Sequence, residues 1–351
     1  MMFILIHQCM SFKIFISKVV EGEDLTEEEA EQAMKMIMTG EATPAQIGSF
    51  LTSLRIKGET VDEISAFARV MRDFATNISP HVSGTLVDTC GTGGDTVKTF
   101  NISTIAAFVA SGAGVPIAKH GNRSVTSKAG SADLIEALGV NINLTPGQVE
   151  RLIEDIGIGF MFAPLFHEAM KHAIKPRKEI GIRTVFNILG PLTNPAKAEA
   201  QVLGVFSPDL TEIMAEVLGN LGVKRAIVAH GVEGLDEISI VGKTKVSELR
   251  NGNVENYTLT PEDFGIDRAE IKELKGGSPE DNARTALSIL KDNTKGARRD
   301  IVVINSAAAI YVGEKAKSLE EAVELAENAI DSGKAYNKLR ALIDKSKVLT
   351  C

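Results

Sequence analysis

The segment Asp88-Thr-Cys-Gly-Thr-Gly-Gly-Asp-Thr96 constrains this chain more than any other. It follows the apolar pair Leu86-Val87, which reads as a strand. It precedes Asn101-Ile-Ser-Thr104 and an apolar run with helical spacing. A strand, a glycine turn and a helix start together form an anion cradle. Glycines let backbone N–H groups approach an anion closely, and the helix N-terminus adds partial positive charge. The pattern is neither a dinucleotide fingerprint nor a P-loop: the second fingerprint spacing is missing, and no Lys-Ser/Thr follows. Taken alone, the glycines suit a tight strand-to-helix turn equally well.

The chain divides around this segment. Residues 13–80 read as helices only. Thr26-x-x-Glu29, Thr43-Pro-Ala-Gln46 and Thr60-Val-Asp-Glu63 are three successive capping boxes, with Pro44 at a first helical position. Apolar residues then recur at helical spacing, as in Ala30, Ala33, Met34, Ile37 and Met38. The methionines read as core rather than as an adaptable partner surface. From about residue 84 strands and helices alternate. Leu86-Val87, Val115–Lys119, Ile158–Phe162, Gln201–Phe206 and Arg225–His230 read as strands. Helices are expected over 102–113, from Ser131 to Gly139, behind the cap Thr145-Pro-Gly-Gln148, and over 209–221. Apolar Ile301–Ile304 and two polar-faced helices complete the alternation. Such alternation means βαβ units and a mainly parallel sheet. Residues 165–195 break it with helical patterns and rejoin the helical part. The expected class is α/β. A small all-helical domain spans 1–82, with 173–197 returning to it. A larger α/β domain spans 83–172 and 198–351 around a mainly parallel central sheet.

Net charge is -8, which argues against a wide nucleic-acid-binding or anionic-membrane surface. Local basic clusters leave anionic small molecules open. The three cysteines, Cys9, Cys90 and Cys351, make no disulfide framework and no zinc spacing. A reducing cytoplasm is the simplest compartment. Met1–Ile6 is apolar but too short to span a bilayer, and no basic n-region precedes it. Met2 and Met10 offer other starts, and residues 1–9 are expected to be dispensable for folding.

Lys119-His-Gly-Asn-Arg123 and the following Ser124, Thr126, Ser127 and Lys128 form the densest donor cluster. Such donors suit a ligand with several phosphates, though a solvated basic loop has the same composition. Loops after parallel strands are where α/β folds bind ligands. His120 suits an acid/base role or the orientation of an aromatic ligand. Asn101-Ile-Ser-Thr104 offers hydroxyls and an amide, for phosphate oxygens, for a metal, or for plain N-capping. Asp236-Glu237 can hold Mg²⁺ through its waters and a substrate's phosphates; spacing alone reads as an exposed acidic pair. Arg177 and Arg183 suit a carboxylate or inter-helix salt bridges. Cys90 reads as small buried filler rather than a nucleophile, and no Ser/His/Asp triad is found.

Together these segments resemble the anthranilate phosphoribosyltransferase family. The resemblance is carried by Asp88–Asp95, Asn101–Thr104, Lys119–Ser127, Gly130–Gly139, the Arg177 segment, Arg183–Pro195 and Leu235-Asp-Glu237. These occur in the family's order and cover residues from about 13 to 345. Two departures are the N-terminal extension and Thr126, where Ser is more usual; a hydroxyl survives that change. The resemblance implies a nucleoside phosphorylase/phosphoribosyltransferase-like fold, with catalysis in the cleft between its domains and a homodimer formed through the helical one. It implies transfer of the phosphoribosyl group of 5-phosphoribosyl 1-diphosphate to the amine of anthranilate, an early step of tryptophan biosynthesis.

The resemblance also implies roles. Gly91, Gly94, Asp95, Thr99, Asn101, Ile102, Ser103 and Thr104 hold the phosphoribosyl diphosphate. So do Lys119, His120, Gly121, Asn122, Arg123, Ser124, Val125, Thr126, Ser127 and Ser131. Ser103, Asp236 and Glu237 take Mg²⁺. Gly91, Asn122 and Arg177 face anthranilate, with Arg177 on its carboxylate. No single catalytic acid or base is implied, because the substrate-binding groups act electrostatically. A nucleoside phosphorylase of related fold is the competing enzyme. A nucleic-acid-binding paralogue without activity is the competing non-enzyme.

Overall fold

The computed structural model describes residues 11–94, 97–124 and 128–349. The expectations for Cys9, Asp95, Val125, Thr126, Ser127, Cys351 and the start at Met1, Met2 or Met10 fall outside the described residues.

Two compact units are formed. One holds the residues up to Phe74 with Glu168–Leu189; the other holds Ala75–His167 and everything from Gly190. Their boundaries fall a few residues before those read from the sequence, for a local reason. Residues 75–82 form no helix and are tied into the larger unit. The Thr76 N–H donates to the Phe166 carbonyl at 2.8 Å and that of Ile78 to Pro195 at 3.1 Å. Likewise the Asn194 amide donates to the Ala118 carbonyl at 2.8 Å, which binds the 190–197 turn to the sheet.

The smaller unit is built from helices Phe12–Val20, Glu27–Met38, Pro44–Lys57, Val61–Asp73 and Lys171–Ile180. Each of the three capping boxes forms both reciprocal hydrogen bonds. Glu63 does more than cap. It is fully buried, accepts from the Leu25 N–H at 2.9 Å, and pairs with Lys57 at 2.9 Å. Met34, Ile37 and Met38 are buried, so this stripe is core. Phe50 makes edge contacts with Phe12 and Phe67, at 5.3 and 6.2 Å between centroids.

Among the described residues the larger unit carries seven strands: β1 Val87–Gly91, β2 Ile117–Gly121, β3 Ile158–Phe162, β4 Ala200–Gly204, β5 Arg225–Gly231, β6 Thr244–Arg250 and β7 Asn253–Leu259. Their order is β3-β2-β1-β4-β5-β6-β7. The pairs from β3 to β5 are parallel and the last two antiparallel. The β6–β7 hairpin is absent from the sequence reading. Asn251-Gly252 makes its turn, with φ of 51° and 79°, as a primed hairpin turn requires. A correction also falls on Ile301–Ile304, which continues the strand alternation in the sequence reading. These residues lie inside the buried helix Ala297–Val312. A run of four apolar residues cannot distinguish a buried strand from a buried helix. Helix Ile102–Gly112 packs against this helix and against β1, which fixes the direction of its N-terminus.

Candidate active site

Strands β2 and β3 extend the sheet to one side of β1, and β4 and β5 extend it to the other. The order therefore reverses between β1 and β4. At such a switch point, the loops beyond the carboxyl ends of the strands diverge and leave a crevice. Gly91 and Gly204 are the register partners that end β1 and β4. Asp236, from the loop after β5, lies directly over them. A Cβ on Gly204 would stand 1.5 Å from the Asp236 carbonyl oxygen, and one on Gly91 2.6 Å from its Oδ2. Only glycine leaves that room. Asp236 Oδ2 accepts the Gly93 N–H at 2.9 Å, and Glu237 Oε1 accepts the Ser103 N–H at 3.2 Å. The acidic pair is thus drawn to both parts of the anion cradle, the glycine turn and the helix start. It is not an exposed pair: Asp236 is 8% exposed.

The cradle is held from several sides. Gly93 and Gly94 have φ of 69° and 85°, the left-handed region. The Thr92 N–H donates to the Gly204 carbonyl at 2.9 Å, and the Thr92 hydroxyl accepts the Phe206 N–H at 3.1 Å. Thr99 forms a bridge with Lys275. Asn101 begins the helix, Ser103 is half-buried, and the Ile102 and Thr104 side chains point into the core. The Thr89 hydroxyl donates to the Ser103 carbonyl at 3.0 Å. Cys90 is inert here. Burial, with the Asp88 charge beside it, pushes its thiol well above the usual range, and Gln201 donates to its sulfur at 3.0 Å.

The end of β2 carries Lys119, His120 and Gly121. Lys119 is 3% exposed and its ammonium donates to the Thr89 carbonyl. Burial pushes Lys119 down and Asp88 up, and each charge opposes the shift of the other. His120 lies beside His167, with the rings tilted by 54° and their centroids 5.0 Å apart. Burial, reinforced by that neighbour, drives His120 well below the usual histidine range; burial takes His167 down to about 4. The Nε2 atoms of both rings are buried with no hydrogen-bond partner among the described residues. Both imidazoles are therefore neutral at pH 7, which favours orientation over proton donation for His120.

After β2 the loop is organised by Asp133, a residue the sequence reading did not single out. Its Oδ2 accepts the N–H groups of Gly130 at 2.8 Å and Ser124 at 3.1 Å. Its Oδ1 takes Arg123 at 2.9 Å. Partial burial opposes ionisation, but these donors outweigh it and hold the carboxyl below its usual range. Arg123 also pairs with Glu136 at 2.8 Å and lies over Phe162 at 5.6 Å. The Asn122 carbonyl accepts from the Ser131 hydroxyl at 3.3 Å. The available signal was the spacing: Asp133 stands three residues after Gly130, at the third position of the helix it opens.

In the helical unit, Arg177 lies near the end of Lys171–Ile180, over the Phe186 ring at 5.0 Å. Burial lowers its pKa. No carboxylate pairs with it among the described residues. Arg183 is exposed.

Residues 13–75 match the glycosyl transferase family, helical bundle domain, and residues 83–336 match the glycosyl transferase family, a/b domain. The anthranilate phosphoribosyltransferase of Acetivibrio thermocellus is 59% identical over 329 residues, 94% of this chain and 95% of that protein. That of Petrotoga mobilis is 53% identical over 339 residues, 97% and 98% of the two. The chain belongs to the anthranilate phosphoribosyltransferase family. Solved anthranilate phosphoribosyltransferases agree in fold. The Thermus thermophilus structure has a TM-score of 0.90 at 45% identity, covering 95% of this chain and 99% of that one. The Saccharomyces cerevisiae protein, solved in complex with PRPP and Mg, has a TM-score of 0.88 at 29% identity and covers 96% and 98%. Membership makes this chain a transferase and disfavours both competing readings.

Proposed function

We propose that this chain transfers the phosphoribosyl group of 5-phosphoribosyl 1-diphosphate to the amine of anthranilate, giving N-(5-phosphoribosyl)anthranilate and diphosphate, in tryptophan biosynthesis. The observation that carries the reading is the pair of bonds from Asp236 to Gly93 and from Glu237 to Ser103. They gather two carboxylates, a glycine turn and a helix N-terminus around one sheet crevice. That combination suits a polyanion accompanied by a divalent cation better than a bare anion, which two carboxylates would repel.

Among the described residues no three His, Cys, Asp or Glu side chains cluster to hold a metal. Mg²⁺ does not need such a cage: it commonly uses one or two carboxylates, waters and substrate phosphates. Asp236, Glu237 and the Ser103 hydroxyl fit that pattern. They would hold Mg²⁺, which would supply charge neutralisation for a departing diphosphate. The chain's own contribution is fixed donors. The 91–94 turn, the 101–104 helix start and the loop from Lys119 through Asn122, Ser124 and Ser131 stabilise the leaving group as positive character grows at the ribose C1. Each well-placed donor supplies about 3 kcal/mol of barrier lowering, by analogy with oxyanion-hole deletions. The aniline nitrogen is neutral at pH 7, so no prior deprotonation is needed. Neutral His120 suits the aromatic substrate, and Arg177, lacking a carboxylate partner among the described residues, suits its carboxylate. Asp95 and the 125–127 segment complete the diphosphate site in this reading.

A homodimer through the helical unit and a cytoplasmic location belong to the same proposal. Exposed Ile14, Val20 and Ile56, at 49%, 63% and 82%, support the former. No described helix is long and apolar enough to cross a membrane. The deciding experiment follows loss of anthranilate fluorescence with purified protein, phosphoribosyl diphosphate and Mg²⁺. Loss only when all three are present is expected. Phosphorolysis of thymidine or uridine with no change in anthranilate overturns the reading.

A further inference from the structure

The segment 273–285 lies behind the anion cradle. It is zipped to the chain entering the helix start. The Gly276 N–H donates to the Lys98 carbonyl at 3.0 Å and the Phe100 N–H to that of Leu274 at 3.3 Å. The approach is tight, since a Cβ on Gly276 would stand 2.6 Å from the Thr99 carbonyl oxygen. Arg298 locks the segment from outside, donating to the carbonyls of Glu273 at 2.9 Å and Lys275 at 3.2 Å.

One side chain links this brace to the site. Asn282 is 3% exposed. Its Oδ1 accepts the Gly277 N–H at 2.9 Å, and its Nδ2 donates to Asn101 Oδ1 at 2.9 Å. The Asn101 Nδ2 in turn donates to the Ala129 carbonyl at 3.1 Å. The Asn101 amide therefore spans two substrate-binding segments, the helix start and the 122–130 loop. A primary amide can flip, exchanging acceptor for donor. The Asn282 N–H is what makes the flipped form unfavourable, because it would then meet another N–H. The Ala129 carbonyl requires the same orientation from the other end.

We propose that Asn282 is a positioning residue for phosphoribosyl diphosphate. It fixes the Asn101 amide, and through it the spacing between the helix start and the loop after β2. Asn282 touches no substrate itself. This inference rests on the assignment of Asn101 to the diphosphate sugar made above.

The test is the variant Asn282→Asp. It keeps an acceptor for the Gly277 N–H and sets an oxygen against Asn101 Oδ1, but it also brings a charge, so the neutral Asn282→Ala is measured beside it. Titration calorimetry with phosphoribosyl diphosphate and Mg²⁺ should show binding weakened about tenfold, the scale of one buried hydrogen bond to a neutral group. The KM for anthranilate should stay within about twofold, a split that general loosening of the fold would not give. Weakening in both variants is expected; weakening in Asn282→Asp with none in Asn282→Ala is the effect of the charge and overturns the inference. In an Asn101→Ala background Asn282→Ala should add less than about twofold, because the partner through which it acts is gone. Unchanged binding, or an additive loss in that background, overturns the inference. Failure of the reaction itself reads differently. Wild-type protein that binds the sugar diphosphate without consuming anthranilate refutes the proposed transfer and leaves the Asn282 comparison intact. Wild-type protein that does not bind it refutes both.

Discussion

At the scale of single residues, the site is made by close approach rather than by unusual chemistry. Asp236 reaches the cradle because Gly91 and Gly204 have no side chain to exclude it. Its removal should therefore be read in metal dependence. Asp236→Asn with Glu237→Gln is expected to raise the Mg²⁺ concentration for half-maximal rate at least about tenfold; an unchanged Mg²⁺ titration refutes the assignment. Arg177 makes a separate case. It is largely withdrawn from water, lies over Phe186, and has no carboxylate partner among the described residues. Leaving a guanidinium so placed is costly unless a ligand completes it. Arg177→Ala should raise the KM for anthranilate by ten- to a hundredfold, about 1.4–2.7 kcal/mol. The KM for phosphoribosyl diphosphate should move less than about threefold, and equal loss for both substrates counts against the role. Donors such as Lys119 and Asn122 are legible in sequence as candidates because their residue types suit an anion. Asp133 and Asn282 are not legible in that way, since each acts on backbone or amide groups that only the folded chain brings near.

At the scale of elements, what the chain states most plainly is where helices begin. Thr26, Thr43, Thr60 and Thr145 each cap as the spacing requires, because a capping box depends on residues three apart and on nothing distant. Thr60 offers a measurable case, for its box also sets Glu63, which joins Leu25 and Lys57. Thr60→Ala should destabilise the helical unit by about 1–2 kcal/mol, read from the denaturant midpoint; Thr60→Ser should restore most of it. A shift no larger than for a surface alanine would show that Glu63 holds its place without the cap. Elements that depend on tertiary context were harder to read. Ile301–Ile304 suits a strand or a helix until its neighbours are known, and it is helix because Ala297–Val312 is buried almost throughout. The β6–β7 hairpin had a local signal in Asn251-Gly252. Its strands carry charged residues on the exposed positions of a sheet edge, which hides the alternation in a composition read for apolar runs.

At the scale of the whole molecule, the two units differ in what they bury, and pH should separate them. The larger unit holds His120 and His167 inside it as neutral rings whose Nε2 atoms have no partner among the described residues. For His167 the folded value is about 4, against 6.5 unshifted. Between those values the unfolded chain binds a proton that the native state refuses. The stabilisation is therefore complete above pH 6.5 and declines as pH falls toward about 4. Below that this group costs nothing further. The window is worth up to about 3 kcal/mol for His167, and His120 adds a term of the same sign. The helical unit contributes neither residue. Its main buried carboxylate, Glu63, is satisfied by Leu25, Thr60 and Lys57. Scanning calorimetry from pH 7.5 to pH 4.5 should therefore lower the transition of the α/β unit. In His167→Asn that transition should fall less steeply with pH, whatever its absolute position. Parallel slopes for the variant and the native sequence would mean that His167 takes up its proton alike in the folded and unfolded chain, so that burial does not displace it. A steeper fall in the variant would mean that the folded chain takes up the proton first, and orientation of the aromatic substrate by a neutral pair of rings would have to be abandoned.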